Sequence, residues 1–483
     1  MASRPLRSDP AALVALLSGP GHSDLARFLT RQRWFAAKAR GVGALAVLDW
    51  AVLDPGGPLV LLLLDVDGDR YYVPFSVADD AAPETALARA GGESVVDAHA
   101  DPRFARRVLA AIATGRSVDG RTGHFHFRPT PGWVFPPAGA GPPGRRLSGE
   151  QSNTSVVVGD LVLKSLRRPP PGLNPELEVT RFLTTRTSFR HAPRLAGSLE
   201  YEAAGETATL AVLQQFVPNA GDGWTHVVST LAGRGAVIER RPDPLVDDVR
   251  RLGAVTGGLH AALASDDADP DFRPEPITRD DVARWTEDIR RELAAADVPR
   301  RLVELTGTAP ARAARALAAL EELPGEAVKI RIHGDYHLGQ VLKTPDGFAI
   351  IDFEGEPARP LADRRRKQSA LRDVAGMLRS LDYAAHAVAF GQPEADRATA
   401  LAALTAWEAE ARRAFLAGYH AAAMKSRAPV APASLEDLPR VCAPFELQKA
   451  CYELRYELDN RPAWVAIPLA GIRRILGRPL EGG

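Results

Sequence analysis

Apolar residues in the first half of the chain fall in short runs that suit strands. In the second half they recur mostly at three- and four-residue spacing, which suits amphipathic helices. A short helix and a connector are expected within residues 1–30. Strands follow at Val47–Leu53, Leu59–Asp65 and Arg70–Phe75, the last two joined by Asp67-Gly68-Asp69, a strong hairpin turn. Residues 80–120, rich in Ala and Arg, read as helical. The Pro- and Gly-dense stretch 129–146 reads as a linker or surface loop. Strands resume at Ser155–Val158 and Leu161–Leu166, followed by a helix from Pro175 to about Thr184 and a strand at Leu210–Val217. Helices are then predicted over Leu245–Ala264, Asp280–Ala295, Ala309–Glu322, Gln368–Phe390, Thr399–Met424 and Phe445–Asn460. Short strands interrupt them at Val328–Ile332, Gln340–Leu342 and Phe348–Phe353. There is no internal repeat and no coiled-coil pattern.

The pattern gives a small α+β unit over 1–90, a mainly β lobe and a mainly helical lobe, with the chemistry expected where the last two meet. Composition narrows the function classes. The 483 residues carry 60 Lys plus Arg and 60 Asp plus Glu, so no global charge calls for nucleic acid or an anionic membrane as partner. A hydrophobic fraction of 45% supports a sizeable core. Two cysteines, Cys442 and Cys451, exclude a disulfide scaffold and a Cys-rich zinc site. The most apolar run, Pro58–Val66, is far short of the roughly 20 residues that span a bilayer. The opening segment lacks a sustained apolar stretch with a cleavage site, so a soluble cytoplasmic protein is expected.

The densest polar signal is HGDYHLGQVL, His333–Leu342, followed by IDFEGE, Ile351–Glu356 within the run from Ile350. Between the flanking apolar strands lies Thr344-Pro345-Asp346-Gly347. Pro presets the backbone, Asp bonds its own main chain and Gly accepts positive φ, so the segment reads as a β-hairpin. Such a hairpin places Asp335, Gln340 and Asp352 near one end of a small sheet. Phosphoryl transfer needs that trio: a carboxylate to orient and deprotonate the attacking hydroxyl, and two oxygen ligands for the Mg²⁺ that bridges the phosphates.

Upstream, the polar turn Gln151-Ser152-Asn153-Thr154-Ser155 lets backbone N–H groups and hydroxyls approach phosphates. Lys164 lies in the following strand, the place for a lysine on the α/β-phosphates. Glu178 is the partner favoured for it and Glu176 the competitor. The strand ending at Gln215, Phe216 and Val217 offers backbone groups to an adenine ring. Near the C-terminus, Leu447, Ala450, Cys451, Leu454 and Leu458 form an apolar stripe, while Glu446, Lys449, Tyr452, Glu453, Tyr456 and Asn460 share the other face. Carboxylates, a lysine and tyrosines together suit a polyhydroxylated ligand.

HGDYHLGQVL with IDFEGEP resembles the catalytic and metal motifs of the aminoglycoside-phosphotransferase-like kinases, and most closely the actinobacterial maltokinases. RQRWFAAK, GEQSNTSVVVGDLVLK, NPELEVTRFL, Asp222-Gly223-Trp224, LRDVAGMLRSLDYA and KACYELRYELDNRPAWVAIPL extend the resemblance over nearly the whole chain. It implies an α+β, bilobal fold like that of the eukaryotic protein kinases. A cap subdomain would occupy 1–90, the rest of the N-lobe 91–218, and a helical C-lobe 219–483. It implies ATP and Mg²⁺ as cofactors and phosphorylation of maltose at its anomeric hydroxyl, giving maltose 1-phosphate for α-glucan synthesis. The alternatives are glucosamine, giving glucosamine 6-phosphate, or another small acceptor of this kinase class. By the same resemblance Asp335 is the base, Gln340 and Asp352 hold Mg²⁺, Lys164 grips phosphate, and His337, Lys449, Tyr452, Glu453 and Tyr456 line the sugar pocket. A complex with trehalose synthase is implied as well. The chain departs from protein kinases in having Gln340 where they have Asn, and in lacking a GxGxxG loop.

Overall fold

The computed structural model describes residues 9–19, 21–36, 41–54, 56–78, 86–90, 93–137, 144–147, 152–233, 243–295, 309–323 and 325–477. The chain divides into two compact units. The first is Met1–Thr185 with Pro193–Phe216, and the second is Arg186–Ala192 with Val217–Gly483.

The first unit opens with α1 (Pro10–Ser18) and α2 (His22–Arg31). Asp9 caps α1, its Oδ1 accepting the Ala12 N–H at 3.0 Å, and Pro10 fills a position whose N–H has no helical partner. An antiparallel cap sheet follows, built from β1 (Leu45–Asp54), β2 (Leu59–Val66), β3 (Asp69–Tyr72), β4 (Phe75–Ala78), β5 (Ala86–Ala90) and β6 (Glu93–Asp97) in the order β1-β2-β4-β6-β5, with β3 also on β2. The continuous apolar run of β2 is explained by its two covered faces. Leu59, Leu61 and Leu63 pack with Phe104, Val108 and Ile112, whereas Val60, Leu62, Leu64 and Val66 pack with Leu13, Leu17, Leu25 and Phe28.

After α3 (Phe104–Ala113) come β7 (Ser117–Asp119), β8 (His124–Pro129), β9 (Arg145–Arg146), β10 (Asn153–Val158), β11 (Leu161–Leu166), α4 (Pro175–Arg186), β12 (Leu195–Ala203) and β13 (Glu206–Gln215). The strands form one antiparallel sheet, β7-β8-β12-β13-β11-β10-β9. Asp49 of β1 ties the two sheets together: its carboxylate accepts the main-chain N–H groups of Arg121 and Gly123 and the Tyr201 hydroxyl at 2.5, 2.8 and 2.8 Å.

Three expectations are corrected here. Residues 80–120 are not helical throughout: β5, β6 and β7 lie among them. Val95 and Val96 are buried in β6, which pairs with β4, so sheet packing overrides the helix propensity of the surrounding Ala and Arg. The cap sheet therefore runs past residue 90 to Asp97. Segment 186–192 belongs to the second unit, although it precedes two strands of the first.

The second unit is mainly helical, with Gly223–Ala232, Pro244–Leu263, Arg279–Ala295, Ala309–Ala318, Leu371–Phe390, Glu394–Ala423, Leu438–Asn460 and Ala466–Gly477. The expected hairpin is present: Val341–Thr344 pairs antiparallel with Gly347–Ile350, and Thr344 faces Gly347 across the turn. The helix expected from Phe445 begins at Leu438 and carries Pro444 inside it. The helix 223–232, the helix 466–477 and strand β12 were not anticipated. Among the described residues, no helix is long and apolar enough to cross a membrane.

Candidate active site

In the second unit the segment His333–Gln340 is held from several sides. Asp373, in the helix Leu371–Phe390, accepts the N–H groups of His333 and Gly334 at 2.8 and 2.9 Å and bonds His260 Nε2 at 3.1 Å. Burial alone would push the Asp373 carboxyl up. The His260 bond, the His260 and His333 charges and the Gly334 N–H outweigh it and hold the group below its ordinary value. Gly334 takes φ 83°, which a side chain would resist. Tyr336 Oη shares a 2.8 Å hydrogen bond with Thr256, and the Leu338 N–H donates to Ser380 Oγ at 3.1 Å. A Cβ on Gly376 would stand 2.5 Å from the Tyr336 carbonyl oxygen, so that helix lies directly against the loop.

The same loop is fastened to the hairpin. His333 Nε2 donates to the Ile351 carbonyl at 2.9 Å, leaving Nδ1 to accept the Asp335 N–H at 3.4 Å. The Ile351 N–H donates to the Gln340 carbonyl at 2.9 Å. These bonds bring the neighbourhoods of Asp335, Gln340 and Asp352 to one end of the two-stranded sheet. Asp352 adopts φ 67°, a costly conformation for a non-glycine residue and one that recurs at functional sites.

Asp335 and Lys449 face each other, Nζ 3.5 Å from Oδ1, in a cavity also lined by Glu292, Glu356, Arg359 and Tyr452. Burial would lower the Lys449 ammonium, but the charges of Asp335, Glu356 and Glu453 outweigh it and raise its pKa, so the group stays cationic. The Tyr452 hydroxyl hydrogen-bonds Glu356, and burial with the Glu356 charge pushes that phenol up. Arg359 Nε donates to the same Glu356 at 2.7 Å.

Other expected sugar-pocket residues lie elsewhere. Arg379 grips Glu453 with two nitrogens, at 2.9 and 2.7 Å. Glu453 does not line the cavity; a buried guanidinium claims it. Tyr456 is 45% exposed and sits under Arg461 instead. Tyr452 and Tyr456 are four residues apart, yet of the two the first lines the cavity. His337 caps the turn that follows it, its Nδ1 accepting the Gly339 N–H at 3.0 Å, and it does not line the cavity. Burial holds its imidazole below the usual value.

In the first unit Lys164 meets Glu176 at 3.6 Å, and Gln214 Nε2 donates to the other Glu176 oxygen at 2.6 Å. Glu176, the competitor, makes this contact with Lys164. Ser155 sits directly across from Lys164 in the β10–β11 register. Asn153, Thr154 and Ser155 are buried and Ser152 is exposed. Gln151 lies outside the described residues. The Gln215 N–H donates to the Arg194 carbonyl at 2.8 Å, and the Val217 carbonyl accepts from Asn219 Nδ2 at 2.8 Å. Glu356, Arg359, Asp373 and His260 were not singled out from the sequence. A lone Asp in the apolar start of LRDVAGML was the available signal for Asp373, since a buried carboxylate implies donors to satisfy.

A mixed unit of antiparallel sheets and a mainly helical unit bearing an Asp-centred loop and an Asp-bearing hairpin define a kinase-type phosphotransferase. The comparisons agree. Residues 143–356 match the model of the phosphotransferase enzyme family, and residues 28–101 match the maltokinase N-terminal cap domain. Glucosamine kinase of Streptacidiphilus jiangxiensis is 32% identical over 435 residues, covering 88% of this chain and 93% of that protein. Glucosamine kinase of Mycolicibacterium smegmatis is 30% identical over 426 residues, covering 86% and 97%. A glucosamine kinase solved in complex with glucosamine, ADP and inorganic phosphate superposes with a TM-score of 0.67 at 27% identity, covering 93% of this chain and 99% of that one. The chain belongs to the phosphotransferase enzyme family.

Proposed function

We propose that the protein is an ATP-dependent kinase whose acceptor is a small aminosugar of the glucosamine type. The observation that carries this reading is the cavity where Lys449, Tyr452 and Glu356 gather beside Asp335. Glu356 supplies a carboxylate suited to an ammonium or a hydroxyl, Tyr452 an apolar ring face, and Asp335 a base at the reacting oxygen. In the reaction the acceptor hydroxyl gives its proton to Asp335 as its oxygen bonds the γ-phosphorus. The bond from that phosphorus to the bridging oxygen breaks, and ADP leaves. Lys449, 3.5 Å away, holds the Asp335 carboxylate in place. In the first unit Lys164, fixed by Glu176, grips the nucleotide phosphates.

The Gln340 and Asp352 side chains present hard oxygen donors and fit Mg²⁺, which takes one or two protein oxygens and completes its shell with phosphates and water. Bound there, the ion would neutralise charge on the phosphates.

Maltose is the second reading, supported by the cap match over residues 28–101, and the expected trehalose synthase partner belongs with it. It draws no help from Glu453 or Tyr456, which stand outside the cavity. ADP release with Mg·ATP and a panel of glucosamine, glucose, maltose and kanamycin tests the proposal. Glucosamine should give the highest kcat/KM; turnover confined to maltose would replace it. Asp335→Asn should lose about 10³-fold in kcat while still binding ATP, within the ~10²–10⁴-fold of general base catalysis. Near-normal turnover would remove Asp335 as the base.

A further inference from the structure

The first unit contains a second cavity, of about 420 Å³, lined by Arg31, Gln32, Arg33, Trp34, Arg146, Leu147, Asn153 and Thr154. Three exposed arginines and no acidic residue line it, in a chain whose total charge is zero. Among the described residues Arg31, Arg33 and Arg146 take part in no ion pair. Strand register sets two of its lining residues, Thr154 and Arg146, apart from the lysine, while Asn153 at the end of β10 shares the lysine's face. Ser155 opposes Lys164, so both point to one face of the sheet. Thr154 points to the other face, as does Val156, and Arg146 opposes Val156. Arg146 and Thr154 therefore stand on the face away from Lys164.

The wall on that side is made of buried, paired groups. Arg167, fully buried, donates from Nε to Thr154 Oγ1 at 2.8 Å, pairs with Asp97, and lies 4.8 Å above the Trp34 ring. Trp34 is 5% exposed, and its indole N–H has no acceptor among the described residues. Burial depresses the Arg167 pKa against the pull of Asp97, and the nearby Arg146 charge adds to the depression.

We propose that this cavity binds a phosphate-bearing small anion, on the sheet face opposite Lys164. Guanidinium forks match phosphate oxygens two by two, and three of them around one space suit a dianion better than a carboxylate or chloride. The phosphate group could come from inorganic phosphate or from a phosphomonoester.

The test is isothermal titration of the full chain, held in saturating Mg²⁺ and a non-hydrolysable ATP analogue so that nucleotide phosphate contacts are filled. Inorganic phosphate and glucose 6-phosphate are the two probes. At least one should bind with a stoichiometry near one. Binding of both at similar affinity would mean the phosphate group alone is read, and binding of the ester only would mean its alcohol part contributes. Arg33→Gln with Arg146→Gln should weaken binding at least tenfold and leave the affinity for the ATP analogue within twofold. Should that variant fail to fold, Arg33→Lys, which keeps the charge and loses the fork, should bind at least threefold more weakly. Absence of binding by either probe at millimolar concentration, or affinity unchanged in the arginine variants, overturns the proposal.

Discussion

Removing the Glu453 carboxylate would strip a buried guanidinium of one partner. Arg379 is fully buried and, among the described residues, would keep Asp382 as its remaining carboxylate. Breaking such a pair costs several kcal/mol because the remaining charge cannot reach water, so Glu453→Ala should lower stability by about 3 kcal/mol. It should change the sugar KM less than about threefold; a large KM rise with unchanged Tm would return Glu453 to the substrate. The residue's type and helix face made it look like a sugar ligand. Its true surroundings depend on Arg379, 74 positions away, which no local pattern reports. His99 offers a pH test. Burial and the Arg167 charge push its imidazole down from 6.5 to about 4, against the pull of Asp97. Below pH 6.5 the unfolded chain takes up a proton that the folded chain refuses, so stability falls as pH drops towards 4. The loss should be about 2 kcal/mol between pH 6.5 and 5, at 1.36 kcal/mol per unit of pKa difference. Denaturant titration across that range checks it. A His99→Asn variant should show a shallower slope, and equal slopes would clear His99 of the effect.

At the scale of elements, the catalytic loop depends on how closely one helix approaches it. Gly376→Ala would force the Leu371–Phe390 helix away from the Tyr336 carbonyl and disturb the two bonds Asp373 makes to the loop. Overpacking of this kind costs about 1–3 kcal/mol. Here it should also lower kcat more than it raises the sugar KM, and a fall in Tm with kcat intact would reduce the contact to packing. The hairpin beside this loop was legible because its turn chemistry is local: Pro345, Asp346 and Gly347 each impose a backbone preference. Strand β2 was legible as apolar, but its two covered faces were not. Strands β5 and β6 were missed because Ala and Arg favour helix until a neighbouring strand edge supplies Val95 and Val96 with somewhere to pack.

At the scale of the whole molecule, the sequence boundary at 218 falls two residues from the division after Phe216, since the change from strand to helix periodicity marks it. The excursion 186–192 carried no such change and went unread. It makes the first unit discontinuous, and truncation exposes the consequence. A fragment ending at 185 lacks β12 and β13 and should not unfold cooperatively. A fragment 1–216 should, by circular dichroism against temperature; a cooperative 1–185 would contradict the division. The position of those two strands also bears on biogenesis. In the sheet β7-β8-β12-β13-β11-β10-β9 the last strands synthesised occupy the middle. As the polypeptide leaves the ribosome, β7–β8 and β9–β11 emerge as two pieces with open edges and no direct pairing. They must wait for about ninety further residues, counted from the end of β7–β8, before the joining strands arrive. Pairings so distant in sequence form slowly and leave sticky edges exposed in the interval. The nascent chain is therefore most vulnerable to misassembly between the emergence of residue 166 and that of residue 215, the window in which a chaperone holding strand edges would matter most.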